Sequence, residues 1–394
     1  MNRKLLAETY RETLLDDVIP FWLKNGMDRR HGGLFSALDR DGTILDTDKS
    51  VWVQGRAAWM FATLYNTVER RPEWLAAAKS CIGFLRRHCF APDGKMYFTV
   101  TREGKPLRMR RYVFSEAFAA IAFAAYAKAT GDSQAADEAR KCWETYLRYS
   151  FTPGVMTPKY TGTRPLVALA PRIISVVTAQ ELRANLGDES VNPVIDRSIG
   201  EIRRLFVKPR QRLVMEVVGE KGEIIDHFDG RTLIPGHAIE GAWFIMHEGR
   251  LRGDESMVRL GCQMLDWMWE RGWDRKHGGI LYFVDSSNKP VQEYYHDMKF
   301  WWPQNEAVIA TLLAHRLTGL RKYASWHAKV HEWSFRHFAD KKHGEWYGYL
   351  HRDGSVSVPL KGNLWKGPFH LPRMLWYCWR LCEEMPAKNQ APKQ

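Results

Sequence analysis

Two histidines distant in the chain stand in similar settings, His237 in PGHAIEGAW and His370 in GPFHLPRMLW, each just after a Pro- and Gly-bearing turn and at the head of an apolar run. An imidazole titrates near neutral pH and serves as either acid or base. Two of them on opposite sides of a carbon acid can remove a proton from one face and return one to the other, which is what inversion of a stereocentre requires. Either histidine alone reads more simply as structural. The pair, with Arg56 (VQGRAAW) and Arg373 at comparable places, points to chemistry. Neither histidine has a neighbour at ligand spacing, and the chain has no HExxH or Cys/His pair, so no metal site is expected.

Three carboxylates recur in the same kind of place. Glu116, Glu240 and Glu306 are each followed by Ala or Gly on otherwise apolar runs, where a charge is costly unless paired or used. For Glu116 and Glu240 a scaffold role, favoured by the helix dipole, weighs as much as a ligand contact. Glu306 follows Trp302 and Gln304 in WWPQNEAV. Indole faces cover sugar C–H surfaces while an amide and a carboxylate bind hydroxyls. The candidate substrate contacts are therefore Glu240, Gln304, Trp302, Arg373, Glu116 and His296, the last in YYHDMKFWWP. His31, His277 and His343 share one position in three D-[RK]-[RK]-H-G segments. A position repeated in this way suits turn stabilisation better than asymmetric chemistry.

These residues need elements that bring them together. Six glycine-bearing turns begin near Asp28, Pro92, Pro153, Gln211, Asp274 and Asp340, at successive steps of 64, 61, 58, 63 and 66 residues. Such a period marks repeated units, each with room for two helices and a β-hairpin. Before the turns, amphipathic runs at 4–24, 73–90, 133–150, 192–207, 254–271 and 321–339 predict half-exposed outer helices. After them, runs at 50–68, 114–130, 171–186, 236–249, 301–318 and 368–383 are apolar nearly all round and predict buried inner helices. Twelve alternating helices predict an all-α (α/α)6 toroid with short β-hairpins in the loops at one mouth. An open array would need polar end caps, and FHLPRMLWYCWRLC is too apolar to be one. In a closed ring the inner helices run the same way, so their first turns, with Ser115, Arg172, Ser175 and Asn305 besides the residues above, share one mouth.

Composition agrees with one large domain over residues 1–385, followed by a Lys-, Gln- and Pro-rich tail at 386–394 expected to be disordered. The 394 residues are 45% hydrophobic and include 17 Trp, ample for one core. The six cysteines are scattered on apolar faces, as expected of reduced core residues. No long apolar segment predicts export or membrane insertion, and the expected location is cytoplasmic. A net charge of +13 invites nucleic-acid binding. The basic pairs are spread over separate repeats with no recognised binding module, so a solvated basic surface that attracts anionic ligands is the plainer account.

The segments HDMKFWWPQNEA, PGHAIEGAW, VWVQGRAAW and WKGPFHLPR resemble the N-acylglucosamine 2-epimerase (renin-binding protein) family over about residues 5–385. The resemblance implies interconversion of N-acetylglucosamine and N-acetylmannosamine by proton transfer at C2 of the ring-opened sugar. The positions matching the family's essential residues are Arg56, His237, Glu306 and His370, with Arg56 set to stabilise an oxyanion. It implies no cofactor for the chemistry, ATP as an activator that is not consumed, and a homodimer. The third inner run, PRIISVVTAQELR, departs from the family at Arg172 and Ser175, which bears on recognition of the N-acyl group. Three alternatives stay open: cellobiose 2-epimerase or aldose-ketose isomerase activity on the same scaffold, an inverting glycosidase, and a non-enzymatic interaction protein.

Overall fold

The computed structural model describes residues 2–110 and 112–384. Over these the chain forms six outer and six inner helices in alternation. The inner helices are Val51–Thr67, Phe114–Thr130, Ala170–Leu186, Pro235–Arg252, Trp301–Thr318 and His370–Glu384. They are buried on most faces and form a large part of the core, as their predominantly apolar sequences predict. Outer helices at Pro72–His88, Ser133–Phe151, Glu255–Gly272 and Arg321–His337 lie outside this ring. The first and fourth outer helices differ from a uniform α-helix. Arg3–Glu12 passes through a π-helical stretch, Thr13–Val18, into Ile19–Asn25, and Asn192–Glu201 continues as π-helical Ile202–Phe206. The expected tail at 386–394 lies outside the described residues. No helix among the described residues is long and apolar enough to cross a membrane.

Local chemistry sets the turns. Gly131, Gly187, Gly253 and Gly319 each end an inner helix in the left-handed conformation, which L-residues with a side chain adopt at a penalty. At the opposite end, the strands entering four of the inner helices pair with the hairpin of the next repeat. Lys49–Ser50 pairs with Thr99–Val100, Val167–Ala168 with Val217–Val218, Thr232–Leu233 with Val284–Asp285, and Lys299–Phe300 with Tyr349–Leu350, all antiparallel. The same stitch joins the last repeat to the first: Leu38 N–H donates to the Gly362 carbonyl (3.1 Å) and Lys361 N–H to the Leu38 carbonyl (3.0 Å). The helices close in parallel fashion. The first outer helix packs against the last inner one, and Tyr10 Oη lies 3.0 Å from both His327 and His331.

The D-[RK]-[RK]-H-G segments are held by their aspartates rather than their histidines. Asp28 and Asp274 each accept from two backbone N–H groups of their own turn, and Asp340 from that of Lys342. Each then pairs with a fully buried lysine and an arginine of another repeat: Asp28 with Lys49 (2.9 Å) and Arg102 (2.9 Å), Asp274 with Lys299 (2.9 Å) and Arg352 (2.8 Å), Asp340 with Lys361 (3.1 Å) and Arg40 (2.7 Å). His31 and His277 contribute their backbone N–H. The third cluster spans the ring closure, because Arg40 belongs to the first hairpin and Asp340 to the sixth.

Candidate functional site

The first turns of the inner helices open onto a cavity of about 2290 Å³ lined by Arg56, His237, Glu240, Trp302, His370 and Arg373, among others. It runs down the third inner helix from Ala170 to Ala184, about 21 Å at the α-helical rise. Trp302 packs against both histidines, its ring centroid 5.0 Å from that of His237 and 5.8 Å from that of His370. Gly236 permits this approach, since a Cβ there would meet the Trp302 ring at 2.7 Å.

Each histidine is bound through Nδ1 to a carboxylate. His370 Nδ1 lies 2.8 Å from Glu306 Oε1, and His237 Nδ1 lies 3.0 Å from Glu216 Oε1. An ionised carboxylate only accepts, so Nδ1 carries the proton in both rings and Nε2 is the nitrogen left for substrate. The two imidazoles then diverge. Burial, reinforced by the guanidinium charges of Arg56 and Arg373, holds His370 well below the ordinary histidine range. Burial acts in the same sense on His237, but the charge and hydrogen bond of Glu216, with further help from Glu240 and Glu306, outweigh it and raise its pKa. One imidazole is thus kept as free base and the other favoured as imidazolium, the division of labour that acid–base chemistry needs.

Two arginines supply fixed positive charge. Arg373 Nη2 donates to Glu240 (2.7 Å) and Glu306 (2.6 Å), and Trp243 Nε1 donates to the other Glu306 oxygen (2.7 Å). Ligand atoms of Glu240, Glu306 and His370 lie within 4.8 Å of one another, but the guanidinium already bonded to both carboxylates supplies the cation there. Arg56 is different. Its guanidinium lies over the rings of Phe118 (4.1 Å), Phe369 (4.9 Å) and Trp52 (5.1 Å), and it donates to the Trp365 carbonyl (3.2 Å). Its Nε is buried without a partner, and burial pulls its pKa down to about 9, which leaves it charged at neutral pH. A buried guanidinium with spare donors is suited to an oxyanion that develops during reaction.

Three expected substrate contacts are corrected. Gln304 is fully buried and spent on the hairpin: Oε1 accepts from Ile280 N–H (2.7 Å) and Nε2 donates to the Ile280 carbonyl (2.9 Å). Gln54 treats Leu34 identically. Residues two apart on an α-helix point about 200° apart, so Gln304 faces the outer layer because Glu306, fully buried behind the cavity wall, faces His370 and Arg373. Glu116 occupies the same phase, accepting from Met96 N–H (2.6 Å), while Phe118, two residues on, lines the cavity. His296 does not line the cavity, although its neighbours Tyr295 and Met298 do; its carbonyl accepts from Phe283 N–H. In the third repeat, Arg172 pairs with Glu201 (2.8 Å) and Ser175 Oγ donates to the Pro171 carbonyl (2.8 Å), so both polar groups are committed to the fold.

Glu116 imitates the two glutamines. Burial pushes its pKa up to about 7 and its second oxygen has no partner; a protonated carboxyl offers the same donor–acceptor pair as an amide. The native state then binds more protons than the unfolded chain between the ordinary glutamate value and about pH 7, so stability declines as pH rises through that window and levels off above it. Glu116→Gln should abolish the decline and stabilise the protein by about 1–3 kcal/mol at pH 8, with little gain at pH 4.5. Urea unfolding at the two pH values checks this, and equal effects at both would disprove it.

A family model described as N-acylglucosamine 2-epimerase (GlcNAc 2-epimerase) matches residues 33–370, a span that holds Arg56, Glu216, His237, Glu240, Trp302, Glu306 and His370 and ends just before Arg373. The chain belongs to the N-acylglucosamine 2-epimerase family. It is 34% identical over 391 residues to the N-acylglucosamine 2-epimerase of Bos taurus, covering 94% of this chain and 89% of that protein. The human N-acylglucosamine 2-epimerase is 34% identical over 94% of this chain and 88% of its own length. The cellobiose 2-epimerase of Bacteroides fragilis is 22% identical, covering 94% and 98%. Among solved structures, the cellobiose 2-epimerase of Bacillus thermoamylovorans superimposes with a TM-score of 0.83 at 20% identity, covering 96% of this chain and 99% of that one, which shows the shared (α/α)6 toroid. As a member of the epimerase family, the protein is a carbohydrate epimerase. Glu216 is the member of the cluster that sequence reasoning missed, although the carboxylate in LVMEVV, just upstream of His237, was a signal.

Proposed function

We propose that this enzyme interconverts N-acetylglucosamine and N-acetylmannosamine by proton transfer at C2 of the open-chain sugar. The observation that carries the reading is the pair of imidazoles on one indole, one held neutral and one favoured protonated. In the open chain the C1 carbonyl acidifies the C2 hydrogen. His370 Nε2 removes it from one face, Arg56 stabilises the enolate oxygen on C1, and His237 Nε2 protonates C2 from the other face. The resting protonation states are then exchanged, and the reverse reaction begins from them. The choice of an N-acyl substrate is supported by the 34% identity to proteins named for that substrate, against 22% to a cellobiose 2-epimerase.

Two alternatives fare less well. An inverting glycosidase separates its carboxyl groups by about 6.5–9.5 Å, whereas Glu240 and Glu306 offer oxygens within 4.8 Å and share one guanidinium. A disaccharide substrate is favoured only by the cavity, whose 2290 Å³ exceeds the roughly 300–1,000 Å³ of an ordinary ligand site. Incubation in D2O with N-acetylmannosamine, cellobiose and mannose separately decides between them: deuterium should enter C2 of the N-acetyl sugar alone, and exchange confined to cellobiose or mannose would reject the reading. ATP as an activator and a homodimeric state, both implied by the family resemblance, complete the proposal. ATP should raise the initial rate without being hydrolysed, and sedimentation should give twice the chain mass.

A further inference from the structure

Glu216 lies between the strands Leu213–Val214 and Val217–Val218 of the fourth hairpin. Its backbone is pinned on both sides, Met215 N–H donating to the Phe206 carbonyl (2.9 Å) and Leu169 N–H to the Glu216 carbonyl (2.9 Å). The side chain lines the cavity beside His237. One carboxylate oxygen, Oε1, is 3.0 Å from His237 Nδ1; the other, Oε2, is buried with no protein partner. A buried carboxylate oxygen left unpaired costs about 1–3 kcal/mol or more, and an orphan of this kind beside a substrate cavity points to a donor that arrives with the ligand.

We propose that Glu216 is the positioning residue of the His237 acid–base group: Oε1 fixes the Nδ1–H tautomer and turns Nε2 to the reacting carbon, while Oε2 receives an N–H or O–H donor of the substrate next to that carbon. This rests on the two-histidine reading above. The carboxylate therefore couples sugar binding to orientation of the acid, since one rigid group touches both. The titratable groups facing His237 are Glu216 from the hairpin, Glu240 from its own helix, Glu306 from the fifth inner helix and the neutral His370 from the sixth; Glu216 acts most strongly in raising its pKa.

The test uses Glu216→Gln and Glu216→Ala in the full chain, with kcat, KM and the pH dependence of kcat/KM measured for N-acetylmannosamine epimerisation. Glu216→Gln keeps the shape and removes the charge, so it should fold with a melting temperature near that of the unchanged enzyme. Its kcat/KM should fall about 10- to 100-fold, and the alkaline limb of the pH profile, set by the His237 imidazolium, should move to lower pH by about one unit or more. Glu216→Ala should also raise KM, through loss of the substrate contact. A packing role alone would move the melting temperature and leave the limb in place. Unchanged limb and unchanged kcat/KM in Glu216→Gln would overturn the proposal. If the unchanged enzyme exchanges no C2 hydrogen in any N-acyl hexosamine, the two-histidine reading itself fails, which is a different result from an active enzyme indifferent to Glu216.

Discussion

In D2O, His237→Ala and His370→Ala should each exchange the C2 hydrogen of one epimer only, and the two variants should select opposite epimers. Net epimerisation should fall about 10²- to 10⁴-fold in both, the usual contribution of a positioned acid or base. The asymmetry follows from the placement of the two imidazoles around Trp302. With His237 removed, His370 still takes a proton from its own face and returns deuterium to that face, so the epimer presenting C2–H there exchanges without inverting. The converse holds for the other variant. The pH dependence carries the same information. His370 stays unprotonated until well below the ordinary histidine range and His237 keeps its proton to higher pH than a free histidine, so the activity plateau should lie between the two. It should fall on the alkaline side when His237 deprotonates, and on the acid side only when His370 is forced to take a proton. Exchange of both epimers by either single variant would mean that one base serves both faces.

Arg373→Met should destabilise the protein by about 3–5 kcal/mol, the range seen when one partner of a buried ion pair is removed. The guanidinium is nearly inaccessible and is the shared partner of Glu240 and Glu306, neither of which has another cation within salt-bridge distance among the described residues. Its loss leaves two carboxylates facing each other in a dry site. It also removes a positive charge that helps to hold His370 neutral, so activity should be lost together with stability. Arg373→Lys keeps the charge but not the geometry that reaches both carboxylates with one nitrogen, and should fall between. Denaturant unfolding measures the first effect; a midpoint unchanged in Arg373→Met would show that the two carboxylates find other partners.

The toroid was legible because both of its signals are physical. Outer and inner helices differ in how much of their circumference is apolar, and the turn chemistry recurs at a steady interval, so the pairing order follows. The convergence of His237, Glu240, Glu306, His370, Arg56 and Arg373 on one mouth followed from that order. What failed is instructive. Gln304 and Glu306 are neighbours in a motif and suggest one binding unit, yet the helical phase that sends Glu306 to His370 and Arg373 sends Gln304 to the hairpin. Gln54 in the same phase was a usable warning. Lys49, Lys299 and Lys361 look like ordinary surface lysines in sequence, and only the fold reveals them as buried partners of the hairpin aspartates. Glu216 was hidden because its partner lies across a loop, where neither helical nor strand periodicity predicts contact.

The stitch between Leu38 and Gly362, with Arg40 on Asp340 beside it, has a consequence for how the chain is made. The partners of the first helix and hairpin of the ring lie some 300 residues further along the chain, so that helix and hairpin wait with an apolar flank uncovered until the sixth repeat has been synthesised. Contacts of such long sequence separation slow folding, and a chain truncated before the sixth hairpin loses both halves of the seam at once. A permuted chain, with the old ends joined and new ones opened at the Gly131–Asp132 turn, keeps every contact but turns this seam into a local one. Such a chain would be completed by a different pair of neighbours, and the order in which the ring is sealed is thus set by where the ring is opened rather than by the ring itself.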